Sequence, residues 1–331
     1  MSSVYASFMD KIILLPRERD FIAAVGLCAD QSVVSLARHL RVPTHQLHYT
    51  IDKLTECGVI RKVWIIDTFD LGITRFNIFF SVSGGDRRKH DQLIKRVVFS
   101  PRTVFVAEVG GDFDYELSIL ARRASEVGSF LRELSQYYGD IFRVHVISTR
   151  LSMIHFPRKY LSKHPSLCPR LSIGERSGMV VIDDFDIDIL KGLSANPKWS
   201  IRELARQIGR AESSVDVRMK RLMREGVIKG AIWSTNSSRY GSQTFKLLVQ
   251  TRGLSDARRG DMILFATKHP HVTSFIDGFG QWDIELVAEV AEYAELSRLR
   301  EGLYQHFGDV ILEIKLLNRF SVHRYQSFAA V

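Results

Sequence analysis

Between residues 186 and 233 the apolar positions follow a helical period in three stretches and then change rhythm. Asp186-Ile187-Asp188-Ile189-Leu190 opens a helix whose apolar face continues through Leu193, and Ala195-Asn196-Pro197 breaks it. Ser200 can cap a second helix, with Glu203 three residues on completing a capping box. That helix, Ile201 to Ile208, carries Ile201, Leu204, Ala205 and Ile208 at i, i+3, i+4 and i+7. Gly209 ends it. Glu212 to Glu225 predicts a third helix with Val215, Met219, Leu222 and Met223 facing inward, and Gly226 suits its end. Val227-Ile228 and Ala231-Ile232-Trp233 then predict a short two-stranded wing. Helix, helix, turn, helix, wing is the winged form of the helix-turn-helix.

The same course runs through the start of the chain. Arg17 to Cys28, Val33 to Leu40 and Thr44 to Cys57 predict three helices, and Val59 to Ile66 a wing. Beyond it the period alternates between two and 3.6. Phe76 to Val82, Thr103 to Val109, Tyr115 to Leu120 and Phe142 to Ser148 predict strands, while Arg87 to Val97 and Ser125 to Tyr137 predict helices. The order βαββαβ is the ferredoxin-like split motif, and Thr244 to Phe320 repeats it. Such a sheet has helices on one face and leaves the other free to pack on a partner sheet.

Matched landmarks make the chain a duplication. Leu36-Ala37 recurs as Leu204-Ala205, Gly58-Val59-Ile60 as Gly226-Val227-Ile228, and Leu71-Gly72, more loosely, as Tyr240-Gly241. Gly111 to Leu117 answers to Gly280 to Leu286, and Tyr138-Gly139-Asp140 to Phe307-Gly308-Asp309, always at an offset of about 168 residues. The expected fold class is therefore α+β, with two winged helix-turn-helix domains and two ferredoxin-like βαββαβ sandwich domains in tandem. The expected bounds are 1–68 and 69–154 for the first pair, 155–180 for a linker, and 181–238 and 239–331 for the second pair. The linker, rich in proline and basic residues, reads as a solvated connector.

Composition narrows the function. Hydrophobic content of 45% and charged content of 25% are those of a globular chain, and no apolar run approaches the roughly 18 to 20 residues of a membrane span. The N-terminal stretch lacks the pattern of a secretion signal. Cys28, Cys57 and Cys168 are far apart and show no CxxC pairing, which argues against a disulfide framework or a structural zinc site. A cytoplasmic location is expected, with no membrane partner. The net charge of +9 favours phosphate polymers as partners.

Ala205 to Gly230, ARQIGRAESSVDVRMKRLMREGVIKG, resembles the DNA-binding signature of the Lrp/AsnC family of transcription regulators, and GDFDYEL, Gly111 to Leu117, resembles the Gly-Asp loop of that family's ligand-sensing domain. The resemblance covers nearly all of the chain outside the linker and the extreme N-terminus. It departs from the family in placing two units in one chain. It implies double-stranded DNA as partner, a small-molecule effector such as an amino acid, and a homo-oligomer built through the βαββαβ domains.

The residues support a division of labour. Ser213, Ser214, Asp216 and Arg218 lie near the exposed start of the third helix of the second copy, suited to base edges. Lys220, Arg221, Arg224 and Lys229 are placed for phosphates. The resemblance puts Arg218 at the family's strongly basic position. In the first copy Thr50 stands there, Pro43 replaces the small polar cap although Thr44 can serve, and His45, Gln46, His48 and Tyr49 remain to contact DNA. The second copy is expected to dominate.

Gly111, Asp112 and Asp114, with Gly280, Gln281 and Asp283 in the second copy, can cap their own turns or bind the effector that the resemblance implies. No P-loop, GxSxG, HExxH or dinucleotide fingerprint is present. No cofactor, metal or catalytic residue is expected. One enzymatic alternative stays open: siroheme decarboxylases are similar to this architecture, fused pairs included, and His145 with Arg143, or His271 with His323, could be recruited to a tetrapyrrole.

Overall fold

The structure, a computed structural model, describes residues 11–175 and 178–329. The first ten residues of the expected first winged unit, residues 176–177 of the expected linker and residues 330–331 of the last unit lie outside the described residues.

Each winged unit forms its three helices: α1 Pro16–Val25, α2 Val33–Leu40 and α3 Thr44–Glu56 in the first copy, α6 Asp184–Ala195, α7 Ile201–Ile208 and α8 Glu212–Arg224 in the second. The wings differ from expectation. Ile228–Thr235 is one continuous strand, β7, and its partner is not its own copy but β1, Ile60–Ile66, in antiparallel register from Ile60↔Thr235 to Ile66↔Ile228. The register shifts at Ile65/Ile66. Across from that shift, Gly230 adopts φ 122 beside Asp30, whose carboxylate accepts from Ala231 N at 3.1 Å. The glycine that separated the two apolar runs thus marks a bulge, not a hairpin turn. Because β1 and β7 pair, one apolar core runs through both winged units, from Phe21, Leu36 and Leu54 to Leu190, Leu204 and Leu222.

In the first half β2 Thr74–Val82, α4 Arg87–Phe99, β3 Thr103–Gly110, β4 Tyr115–Ala121, α5 Ala124–Tyr138 and β5 Phe142–His155 follow in order. In the second, β8 Gln243–Thr251, α9 Asp256–Lys268, β9 Val272–Phe279, β10 Ile284–Val290, α10 Tyr293–Phe307 and β11 Ile311–Tyr325 match them. Alternation sets the two faces of each sheet. Ile78, Phe80, Leu117 and Ile119 turn outward to α4 and α5, while Asn77, Phe79, Glu116 and Ser118 turn inward.

The last strand of each half is longer than expected, and its length joins the halves. β5 pairs β2 through residues 142–149 and then β9 through 149–155; β11 pairs β8 through 311–319 and β3 through 318–325. The order β2-β4-β3-β11-β8-β10-β9-β5 closes back onto β2, all antiparallel, and the ninth strand of this sheet, the three-residue β6, Leu171–Ile173, adds to β5 outside the ring. The sheet face and edges that would recruit a second chain are thereby taken up within one chain.

The linker is not a solvated connector. β6 pairs with β5, Ser166 and Leu167 bond the Ala24 carbonyl of α1, and half-buried Arg158 pairs with buried Glu289. A disulfide joins Cys28 to Cys168 across 140 residues of sequence, contrary to the expectation from spacing. Separation along the chain carries no information on pairing once the linker folds back over α1.

Candidate nucleic-acid interface and effector loops

The turn between α7 and α8 is built as the sequence predicts. Ser200 and Glu203 form the reciprocal cap of α7, and Gly209 closes it in the left-handed region at φ 68. Val215, Met219 and Leu222 are buried, whereas Met223, expected inward, is 37% exposed. Ser213, Ser214, Val217, Lys220 and Arg224 face solvent.

Three of the cations expected at DNA are committed inside the protein. Arg218 reaches Asp183 at 2.8 Å and Asp186 at 3.2 Å, and Arg221 reaches Asp186 at 2.5 Å. Asp186 is fully buried, so these guanidinium groups supply its counter-charge. The bond to Asp183 holds the Arg218 guanidinium above its ordinary pKa, and the Asp186 amide, with Arg218, holds Asp183 below the usual carboxylate range. Lys229 lies 3.3 Å from buried Asp67. Lys220 stays exposed, in an i,i+4 pair with Asp216 at 2.6 Å. In their place α7 and the turn supply Arg202, Arg206 and Arg210, all exposed, which sequence reasoning did not single out. The i,i+4 spacing of Arg202 and Arg206, off the apolar stripe of α7, was the available signal.

The first copy repeats the frame with other groups. Lys53 bonds buried Glu18 at 2.7 Å, as Arg221 does Asp186. Thr50 is buried and donates to Gln46 O at 2.9 Å, so it presents nothing outward. Pro43 occupies the cap position of α3 with no side-chain cap, and Thr44 lies inside the helix and does not serve. His45, Gln46, His48 and Tyr49 are exposed, with Arg38 and Arg41 beside them. Arg41 adopts, at φ 55, the left-handed conformation that Gly209 takes at φ 68 in the second copy.

The Gly-Asp loops lie against the opposite half. A Cβ on Gly111 would meet Leu316 O at 2.7 Å, and one on Gly280 would meet Ile147 O at 3.0 Å, so both positions need glycine for close approach. Asp114 accepts from Val82 N at 2.9 Å; Asp283 accepts from Thr251 N at 2.7 Å and from its hydroxyl at 2.8 Å. Asp112 pairs with Lys315 at 2.6 Å across the halves, while Gln281 is exposed. These carboxylates cap turns and bridge halves.

Between the inner sheet faces lies a buried polar centre. Lys246 contacts Glu116 and, at 2.7 Å, Glu285; Asn77 donates to Glu285 at 3.2 Å. Burial pushes the Glu116 carboxyl up, but Lys246 and Arg319 outweigh it and hold it below its ordinary range. Arg75 is brought down to about 9 by burial and by Arg150, and His155 to about 3 by the same two causes. The histidines weighed for a tetrapyrrole are scattered: His145 is exposed against Phe113, Tyr160 stacks on His271 at 5.3 Å, and His323 lies near Glu108. Among the described residues no group of three or more His, Cys, Asp or Glu could hold a metal, and no helix is long and apolar enough to cross a membrane.

Residues 182–229 match the family profile described as winged helix-turn-helix DNA-binding. Over 105 residues the chain is 30% identical to an HTH-type transcriptional regulator of Pyrococcus horikoshii, covering 30% of this chain and 68% of that protein. It is 35% identical over 68 residues to HTH-type transcriptional regulator Ptr1 of Methanocaldococcus jannaschii, 20% of this chain, and spans 46% of that relative's length. Among solved structures, the siroheme decarboxylase NirDL shares the fold with TM-score 0.55 and 14% identity, over 94% of this chain and 92% of that one.

Proposed function

Because the chain belongs to the HTH-type transcriptional regulators, we propose that it is one of Lrp/AsnC type and reads two neighbouring segments of duplex DNA with two unequal winged units in one chain. The second unit supplies most of the affinity. Ser213, Ser214, Val217 and Lys220 face the groove, and Arg202, Arg206, Arg210 and Arg224 meet flanking phosphates. Asp216, Arg218, Arg221 and Lys229 act indirectly, by holding α8 and β7 in place. His45, Gln46, His48 and Tyr49 of the first unit add a weaker contact. The observation that carries this reading is the run of exposed arginines beside an exposed, hydroxyl-bearing start of α8. A small effector acts on the chain from a site away from the DNA-facing helices α3 and α8, and a cytoplasmic location is expected from the DNA partner.

The reading is tested by competition. A duplex from upstream of the chain's own coding sequence should displace a random duplex of equal length at concentrations at least tenfold lower. Equal displacement by both duplexes would leave only non-specific phosphate binding.

A second reading, a siroheme decarboxylase-like enzyme, is favoured by one observation, the fold shared with NirDL along nearly the whole chain. A Soret shift on titration with an iron porphyrin would support it. The ring of Tyr160 over His271 opposes it, because that imidazole is already covered.

A further inference from the structure

Two of the places where the halves of the chain meet are equivalent: in each, the first helix of one winged unit lies over the end of the other half's sheet. Ile12 N donates to Arg239 O at 2.7 Å in one place, and Val180 N to Asp70 O at 2.7 Å in the other. In the first place the linker fills the space between them. Arg158 bonds Glu289 through Nε at 2.9 Å and Nη2 at 3.0 Å, and Tyr160 donates to Glu289 at 2.7 Å while stacking on His271. Burial and Glu289 push the Tyr160 hydroxyl well above its ordinary pKa, so the phenol stays protonated and keeps donating. In the second place the matching space is an open cleft of about 480 Å³ between α6 and the start of β3.

The side chains that differ between the two places determine what fits. Glu289, which holds the linker's Arg158, is matched by Leu120; His271 is matched by Arg102, and Ala291 by Arg122. Lys191 of α6 stands where α1 has Ala23. A place built for an internal cation has thus become one lined by three cations. Glu126 fixes Arg102 at 2.9 Å, and Arg122 donates to Leu71 O at 3.2 Å, which orients both guanidinium groups and leaves them further N–H donors. Ile73, Ile187 and Phe328 supply apolar wall. Asp184 and Asp188, one turn apart on α6, line the same cleft and disfavour a multiply charged anion.

We infer that this cleft binds a small organic carboxylate with a single negative group and an apolar body. The inference rests on the regulator reading in one respect, that the bound molecule is the effector. The cleft is lined by α6, and the start of α6 carries the carboxylates that hold Arg218 and Arg221 of the DNA-facing helix. Ligand and DNA therefore act on two sides of one helix.

The test is calorimetric titration of the full chain with three molecules of one branched skeleton: 4-methylpentanoate, leucine and 3-methylbutylamine. Both carboxylates should bind and the amine should not. Arg122→Ala should weaken carboxylate binding at least tenfold. Ile187→Trp, shown to be folded by circular dichroism, should abolish it by filling the cleft. Tighter binding of leucine than of 4-methylpentanoate would support the cleft and add Asp184 and Asp188 as partners of the ammonium group. Equal binding of the amine, no binding of any of the three up to roughly 10 mM, or unchanged binding in Arg122→Ala would overturn it. DNA binding is measured on the same preparations. DNA binding without carboxylate binding would remove the cleft and leave the regulator; carboxylate binding without DNA binding would do the reverse.

Discussion

The two winged units share a frame and differ at the positions that decide their work. In both, a buried carboxylate on the first helix is held by a cation from the third: Glu18 by Lys53, and Asp186 by Arg221. Only the second unit adds Arg218, which reaches both Asp183 and Asp186. At the matching position of the first, Thr50 bonds back to its own helix. The sheets show the same pattern. Glu116 and Glu285 are equivalent, yet the cation between them comes from one half alone, Lys246, because the other half carries Asn77 there. Duplication within one chain lets a pair of equivalent sites share one charge, which two identical chains could not do.

The largest effect should come from breaking that shared charge. Lys246→Met removes the cation shared by two buried carboxylates, leaving Glu116 only Arg319 at 3.8 Å, and should cost about 3–5 kcal/mol in urea denaturation. Asn77→Leu, on the other half, should cost less, since only a neutral amide is lost. Equal losses would contradict the asymmetry.

The helix anchors come next. Asp186→Asn removes the partner of two arginines and should cost about 2–3 kcal/mol. Glu18→Gln, which releases Lys53 alone, should cost about half as much. Chemical denaturation of the two variants side by side gives the ratio.

A third contrast is with pH. His155 is buried with its pKa lowered to about 3, and its counterpart Arg324 instead donates to the carbonyls of Val98 and Ser100. Between pH 6.5 and about 3 the unfolded chain binds a proton at His155 that the folded chain does not. Its contribution to stability is therefore whole above pH 6.5 and lost as pH falls, by at most ~1.4 kcal/mol per pH unit. His155→Gln should flatten the stability curve between pH 6 and 4, with denaturation midpoints as the readout. A curve unchanged by the substitution would assign the acid sensitivity to other groups.

Local pattern carried much of this architecture. The helical stripe of α7, its Ser200–Glu203 cap and the βαββαβ order follow from neighbours a few residues apart. What the sequence could not convey depends on residues far apart. The pairing of β1 with β7, the ring closed by β5 and β11, and the Cys28–Cys168 bond join segments more than a hundred residues apart, which no periodicity records. Of the proposed DNA-facing residues, Ser213, Ser214, Lys220 and Arg224 of the second unit and His45, Gln46, His48 and Tyr49 of the first follow from the sequence and lie exposed. Arg218 looked like a groove contact because its charge is visible in the sequence, whereas its partner Asp186, 32 positions earlier, is not visible as buried.

The central claim, that the second winged unit supplies most of the affinity for DNA, is tested most directly by fluorescence anisotropy of a labelled duplex across a salt series. The pair Arg206→Ala and Arg224→Ala should weaken binding at every salt concentration and lower the slope of log affinity against log salt by about 2. The pair Arg38→Ala and His48→Ala in the first unit should lower it by about 1 or less. An equal or larger loss from the first-unit pair would contradict the claim.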